Sequence, residues 1–589
     1  MELAEKLLRA SAGMSQAEAL LQFIATGPPE IRARFEARMD WFKFLLNNTR
    51  EDLRETVATI YSLVGATIPR PDFEKSVKDL SRSMKEKQLE FQHGAILALG
   101  YSFGRRCLLA RMSGGLTDWS LYTETVRLII SQLDQTNTLI LSAACLALAE
   151  LARCGPLPLP DQDQDKGGHT KLSLIQRLLG LVKSGKANMR VRERAALAAG
   201  SLCLGDRNFP HRRTLLENFI ELAADIKDIE LHFSIGEALV FISLGVKSPA
   251  ARDFWSVDEA DFSPLETDQQ EKEEENTELD WLLSQLTGKL TRSTHPSVKQ
   301  ASCLWLLAVV KHCMAQPQVS QSVKHIPENI SLKMFQVSSR LFEIQRAFIS
   351  LLGDNNDLVQ DAASKGVAIV YEACSEDQRE EMVSNLLDTL LGKKPSEVKK
   401  VNEDTKVFQE GELGKMPEGG GNLSTYKELC SLATDMGQPD LVYKFMHLAN
   451  YNATWNSKKG AAFGFSSIAE KAGDQLTPHL PKIIPKLYRY QYDPTPRIQQ
   501  SMSAIWSALV PETTKTVDKF LAEILAELGR EMTSPQWRVR ESCCSALTDL
   551  LRGRTLESHL DSLAELWTDL FRQVRTMSTY CTRVHLYLW

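Results

Sequence analysis

HLPKIIPKLYRYQYDPTPRIQQSMSAIWSAL, residues 479–509, repeats its own pattern 41 residues further along the chain. Leu480 corresponds to Leu521, Ile483 to Ile524, Ile484 to Leu525 and Leu487 to Leu528. Pro494 then corresponds to Pro535, Ile498 to Val539, Trp506 to Leu547 and Leu509 to Leu550. Each copy reads as an amphipathic helix, a short turn holding a proline, and a second helix. Proline suits the turn because it lacks the N–H that a helix interior needs and biases the preceding residue away from helical geometry.

The second helix follows a template: an apolar anchor, then small or apolar residues at +4, +7, +8 and +11. The same template fits with anchors Leu53, Phe91, Ile140, Val191, Leu231, Val298 and Val359. One period before Ile498 stands Ser457, followed in register by Ala461, Gly464, Phe465 and Ile468. A two-helix unit of roughly 40–47 residues is the HEAT or armadillo pattern. One pair cannot bury its apolar face alone, so neighbours stack into a superhelix. The expected fold is all-α: a HEAT/armadillo-like α-solenoid with polar loop insertions. Sustained alternation and hairpin signals, the marks of strands, are nearly absent.

Four segments break the rhythm: 154–171, rich in Pro, Gly and Asp; 256–280, with eleven acids and one lysine; the polar 315–333; and the charged, Gly-rich 392–424. Such compositions bury too little apolar area to offset chain entropy and read as surface loops. The acidic segment reads either as a solvated insertion or as a site for a basic partner. The resulting division is helical repeats over 1–391, a linker at 392–424, further repeats over 425–574 and an atypical tail at 575–589. LDSLAELWTDLFRQV (560–574) matches a first helix, yet no second helix follows it. The expectation is a section of a longer solenoid, or a variant that stops early.

Bulk composition narrows the function classes. The 589 residues are 43% apolar and 24% charged, with a net charge of −6. No basic field of the kind nucleic-acid binding needs is present, so no nucleic-acid partner is expected. The longest apolar run, CLWLLAVV (303–310), falls far short of the ~20 residues of a membrane span, and no membrane insertion is expected. MELAEKLLRA carries acids where a signal peptide would be apolar. Eleven scattered cysteines without a CxxC pair read as reduced thiols in cytosol or nucleus. The sequon at Asn452 is then a chance match.

A catalytic signature is missing. There is no HExxH, no zinc-type Cys/His cluster and no GxSxG elbow. GGGNLST (419–425) lacks the lysine of a phosphate loop. His93 and His232 read as packed histidines, and Cys430, Cys543 and Cys544 as buried thiols at core spacing. No enzyme activity and no cofactor are expected.

Basic and aromatic residues gather at two inter-helix turns, WNSKK (Trp455–Lys459) and RYQYDPTPR (Arg489–Arg497). Trp455 and Tyr490 could pack beneath the turns while Lys458 and Lys459 stay solvated. Alternatively Trp455, Asn456, Lys458, Lys459, Arg489 and Tyr490 form a rim that docks an acidic or helical partner, since Trp, Tyr and Arg are enriched in binding hot spots. The glycines beside the lysines, Gly460 and Gly464, each cost about 1 kcal/mol in a helix relative to alanine. They point to a close helix approach.

YKELCSLATDMGQPDLVYKFMHLANYNATWNSKKGAAFGFSSIAEKAG (426–473) and LTPHLPKIIPKLYRYQYDPTPRIQQSMSAIW (476–506) closely resemble the Ecm29 family of HEAT-repeat proteasome adaptor and scaffold proteins. The flanking repeats from about residue 1 to 574 look like the same family, whose chains are several times longer. The resemblance implies a non-catalytic factor that binds the 26S proteasome and bridges its core and regulatory particles. It also implies links to motor, endosomal and endoplasmic-reticulum proteins, hence a cytoplasmic and nuclear location with association to those compartments or the centrosome. A HEAT-repeat transport carrier is the alternative.

Overall fold

The computed structural model describes residues 14–112, 120–161, 169–251 except 186, 277–314, 340–390 except 355, 464, 479–494, 510, 512–534 and 537–552, with scattered positions in 496–507 and 564–568. Every regular element among them is helical. They fall into two compact units: Met1–Lys289 with Leu304–Cys313 and Gln318–Gln336, and Leu290–Cys303 with Met314–Pro317 and Val337–Trp589.

The first unit opens with α1 (Met14–Thr26), α2 (Pro29–Glu36) and α3 (Met39–Leu45). It continues through α4 (Glu51–Gly65), α5 (Arg70–Ser83), α6 (Leu89–Met112), α7 (Ser120–Ser131), α8 (Thr138–Cys154), α9 (Lys171–Lys183), α10 (Met189–Ser201), α11 (Arg212–Glu221), α12 (Ile229–Leu244) and α13 (Thr277–Ser284). The helices α4, α6, α8, α10 and α12 carry the anchors, and each packs on the next in line. The helices α5, α7, α9 and α11 each cover the anchor helix that follows. This is the expected solenoid of helix pairs.

The template residues make the stack. Val57, Ile60, Tyr61 and Val64 behind Leu53, and Ala144, Ala147, Leu148 and Leu151 behind Ile140, are all buried. So are Ala195, Ala198, Ala199 and Leu202 behind Val191, and Ile235, Ala238, Leu239 and Ile242 behind Leu231. Phe91 is only half-buried, although Ala95, Ala98, Leu99 and Ser102 behind it are covered. Small residues set the spacing: a Cβ on Gly200 would stand 2.7 Å from Ala238 Cα, so α10 and α12 meet backbone to backbone. Asparagine opens two of these helices. Asn137 Oδ1 accepts from the Leu139 N–H at 2.9 Å and Asn188 Oδ1 from the Arg190 N–H at 3.0 Å, satisfying donors a helix start leaves open.

Trp305, on α14 (Pro296–Met314), is fully buried in the first unit and donates from Nε1 to the His232 carbonyl at 3.0 Å. Ile229–Lys247 is long and apolar enough by composition to cross a membrane, yet 61% of it is buried inside the protein. Its inward apolar side chains belong to the core.

The second unit holds α15 (Leu341–Leu352), α16 (Asp357–Ala373), α17 (Glu376–Leu390), α18 (Leu480–Tyr490), α19 (Thr513–Lys519), α20 (Leu521–Met532) and α21 (Trp537–Leu551). α15 and α16 form a hairpin, and α18, α20 and α21 pack together. The 41-residue correspondence appears as equal burial. Ile483, Ile484 and Leu487 on α18 match Ile524, Leu525 and Leu528 on α20, all within 2% of full burial. Gly464 is helical and buried, and an added Cβ would press on Leu352 Cδ1 at 2.6 Å. This agrees with the close approach read from its sequence.

One loop boundary is corrected. Residues 277–280, assigned to the acidic loop 256–280, form the first turn of α13. Leu279, Leu282 and Leu283 are buried there. Arg213 pairs with Glu278 at 2.8 Å and covers the Trp281 ring at 4.3 Å, so this end of the acidic run gains partners and orders. In the segment 154–171, Cys154 ends α8 and Lys171 opens α9, and residues 162–168 lie outside the described residues. The linker 392–424, the segment 315–333 and the tail 575–589 lie outside the described residues.

Candidate functional site

Of the six residues expected at a partner rim, Trp455, Asn456, Lys458 and Lys459 lie outside the described residues. Arg489 and Tyr490 are placed, and they correct the rim reading, while Tyr490 packs beneath the turn as the other reading had it. Both are buried, at 5% and 2% exposure, at the C-terminal end of α18. The Arg489 guanidinium lies 4.5 Å over the Tyr490 ring and donates to Ser542 Oγ at 3.2 Å. Next to them, the Tyr488 hydroxyl donates to Asp549 Oδ2 at 2.9 Å, and the Tyr492 hydroxyl donates to the same oxygen at 2.5 Å. Tyr488 meets Trp506 edge-to-face at 5.7 Å. Burial, then Tyr492 and Asp549, push the Tyr488 phenol far above its ordinary pKa, so it stays a proton donor. The turn residues thus tie α18 to α21 from inside. Desolvating Arg489 against a ring and a hydroxyl leaves it unable to reach a partner.

A second polar cluster, not foreseen in the sequence, joins four anchor helices of the first unit. Glu51 and Glu55 come from α4, His93 from α6, Ser142 from α8, and Arg190 and Arg194 from α10. Arg194 reaches Glu51 at 3.2 Å, Glu55 at 2.6 Å and Ser142 Oγ at 2.6 Å. Arg190 reaches Glu51 at 2.7 Å. Ligand atoms of Glu51, Glu55 and His93 lie within 4.8 Å of one another, a spacing that could hold a metal ion.

The chemistry of the set opposes a cation. Arg54 Nε donates to His93 Nδ1 at 3.1 Å. A neutral imidazole that accepts at Nδ1 carries its proton on Nε2. It is Nε2 that faces Glu51, at 3.6 Å, so no lone pair points at the carboxylates. Burial, then Arg54, Arg194 and Arg190, lower the His93 pKa to about 3. Both carboxylates are already matched by guanidinium groups. The cluster is an ionic brace between helices that are not neighbours in the stack, and it holds no metal ligand set.

The other histidine and the thiols are equally inert. His232 is fully buried, with Nε2 3.1 Å from the Ile226 carbonyl, and burial lowers its pKa. Nine cysteines among the described residues are buried. Burial pushes Cys145, Cys203 and Cys543 up to about 12. A nucleophilic cysteine needs the opposite shift. Cys430 lies outside the described residues.

Residues 1–151 match the family model described as ECM29, ARM-like repeats. The human protein named "Proteasome adapter and scaffold protein ECM29" is 41% identical over 584 residues, which is 97% of this chain and 30% of the relative. ECM29 proteins are homologues of this chain over nearly its whole length, and the chain corresponds to a section of them. The Drosophila melanogaster "Proteasome-associated protein ECM29 homolog" is 34% identical over 90% of the chain and 29% of its own length. The Saccharomyces cerevisiae "Proteasome component ECM29" is 36% identical over 48% of the chain and 15% of its own length. The chain therefore spans under a third of these ECM29 relatives. Among solved structures, a yeast importin-β chain (Kap95p) is similar over 98% of this chain and 64% of its own, with 11% identity and a TM-score of 0.35. A likeness that low carries no argument about ECM29 function.

Proposed function

We propose that this chain is part of a non-catalytic adaptor that binds the 26S proteasome and supports the association of its core and regulatory particles. The observation that carries this is the 41% identity over 97% of the chain with a relative named a proteasome adapter and scaffold protein. The fold agrees with it: stacked helix pairs offer a long surface to partners. The polar clusters among the described residues act as structural braces, with no activated nucleophile in them. The turn Trp455–Lys459 remains part of the proposal, with Lys458 and Lys459 meeting an acidic partner surface. Contacts with motor, endosomal and endoplasmic-reticulum proteins, and a cytoplasmic and nuclear location, belong to the same reading.

The test is retention of purified 26S proteasomes on the immobilised chain at physiological salt, beside an unrelated solenoid. Selective retention, weakened by Lys458→Glu with Lys459→Glu, supports the reading. Equal retention on both solenoids overturns it.

A further inference from the structure

Large apolar side chains exposed to solvent are scattered singly over most of the described surface. The exception is α12, where Ile229 is 43% and Phe233 45% exposed, one helical turn apart. Residues four apart share a helix face, and Phe241, half-buried, continues that stripe two turns on. The opposite face of α12 is used by the core: Leu231, Ile235, Ala238, Leu239 and Ile242 are buried and Ala238 meets Gly200, while Gly236, at the edge of the stripe, meets Trp305 and Ala308. The apolar stripe is thus surplus to the core.

Three carboxylates lie beside the stripe, and the exposed Lys227 precedes Ile229 by two residues. Glu230 and Glu237 flank Phe233 on the exposed side of α12. Glu193, on the adjoining α10, faces Glu230, and burial followed by that like charge raises its pKa. The nearest guanidinium groups, Arg190 and Arg194, are committed to Glu51 and Glu55. The other basic side chain on α10, Arg192, is held by Asp228 at 3.1 Å. No ion pair engages Glu193, Glu230 or Glu237 among the described residues. Three carboxylates without an ion pair thus stand beside two exposed apolar groups.

We infer that the Ile229–Phe233 face of α12 is a docking surface for a protein segment that presents large apolar side chains between lysines or arginines. The apolar groups would gain burial and the cations would complete the three carboxylates. The same acids disfavour a membrane as occupant, because anionic headgroups attract basic surfaces and repel acidic ones. The inference stands apart from the proteasome reading, since it names the chemistry of the segment and leaves open which protein carries it.

The test uses the whole chain and a fluorescent amphipathic peptide of leucines and lysines at helical spacing, read by anisotropy. A peptide with glutamate in place of lysine and phosphatidylserine vesicles serve as the other probes. The expected result is saturable binding of the Leu/Lys peptide, weakened about tenfold or more by Ile229→Ser with Phe233→Ser. Glu230→Lys with Glu237→Lys should weaken it comparably and admit the Leu/Glu peptide. Glu230 and Glu237 are exposed, so their variant should leave the thermal melt unchanged and its loss of binding will not reflect unfolding. Equal binding by wild type and both variants, or no binding by wild type, overturns the inference. Vesicle binding that depends on Ile229 and Phe233 overturns it in favour of a lipid surface.

Discussion

Trp506 fills the space between α18 and the helix pair that follows, 4% exposed, edge-on to Tyr488 and donating from Nε1 to Thr513 Oγ1 at 3.3 Å. Trp506→Ala should cost about 3–5 kcal/mol, as large-to-small core changes do. Urea unfolding measures it, and an unchanged midpoint would contradict the repeat register. His93 gives a pH signature. Its folded pKa is about 3 against an ordinary 6.5. Above the ordinary value both states are neutral there. As pH falls below it, the unfolded chain takes up a proton that the folded chain refuses, so stability is lost through the window from 6.5 towards 3. Between about pH 7 and pH 5, wild type should lose more thermal stability than His93→Gln; parallel losses would contradict the buried neutral imidazole. The packed state of His93 and His232 and the inert Cys543–Cys544 pair were legible in the sequence, because core spacing surrounds them with apolar neighbours. The packing of Tyr490 beneath the turn was one of two open readings, and the burial of Arg489 with it was not foreseen. A cation beside an aromatic at a turn reads the same whether the ring faces solvent or folds under the helix end.

At the scale of elements, the anchor template located the second helices among the described residues, because burial demands small or apolar groups at fixed angles. Gly200→Val should destabilise by about 1–3 kcal/mol, since its side chain would be driven into the Ala238 backbone. A calorimetric melt measures the loss, and full stability would mean α10 and α12 are not in backbone contact. The asparagine caps at Asn137, Asn188 and Asn356 were readable in principle, since Asn before an apolar periodic run marks a helix start. The brace from α4 to α10 was not readable. Glu51 and Arg190 are 139 residues apart, and only the stacking of the intervening helices brings them together. With Arg194 11% exposed and its carboxylate partners about a quarter exposed, Arg194→Met should cost about 1–2 kcal/mol after discounting for solvent screening. Amide exchange should rise at the starts of α4 and α10, while α20 and α21 keep their protection. Unchanged exchange at α4 would show that the brace holds nothing.

At the scale of the molecule, the period of about forty residues was legible because each pair must present the same face to the next. Which partner such a surface meets was legible only through family resemblance, since solenoids with unrelated partners share the same core pattern. The identity with ECM29 relatives supports the proposed proteasome partner. The measurement that bears most directly on it is sedimentation velocity of the fluorescently labelled chain with increasing 26S proteasome at physiological salt. The proposed function predicts that the label moves from the boundary of the free chain to that of the proteasome, saturably, and that excess unlabelled chain reverses the shift. A folded chain that stays at its own boundary at every proteasome concentration would contradict it.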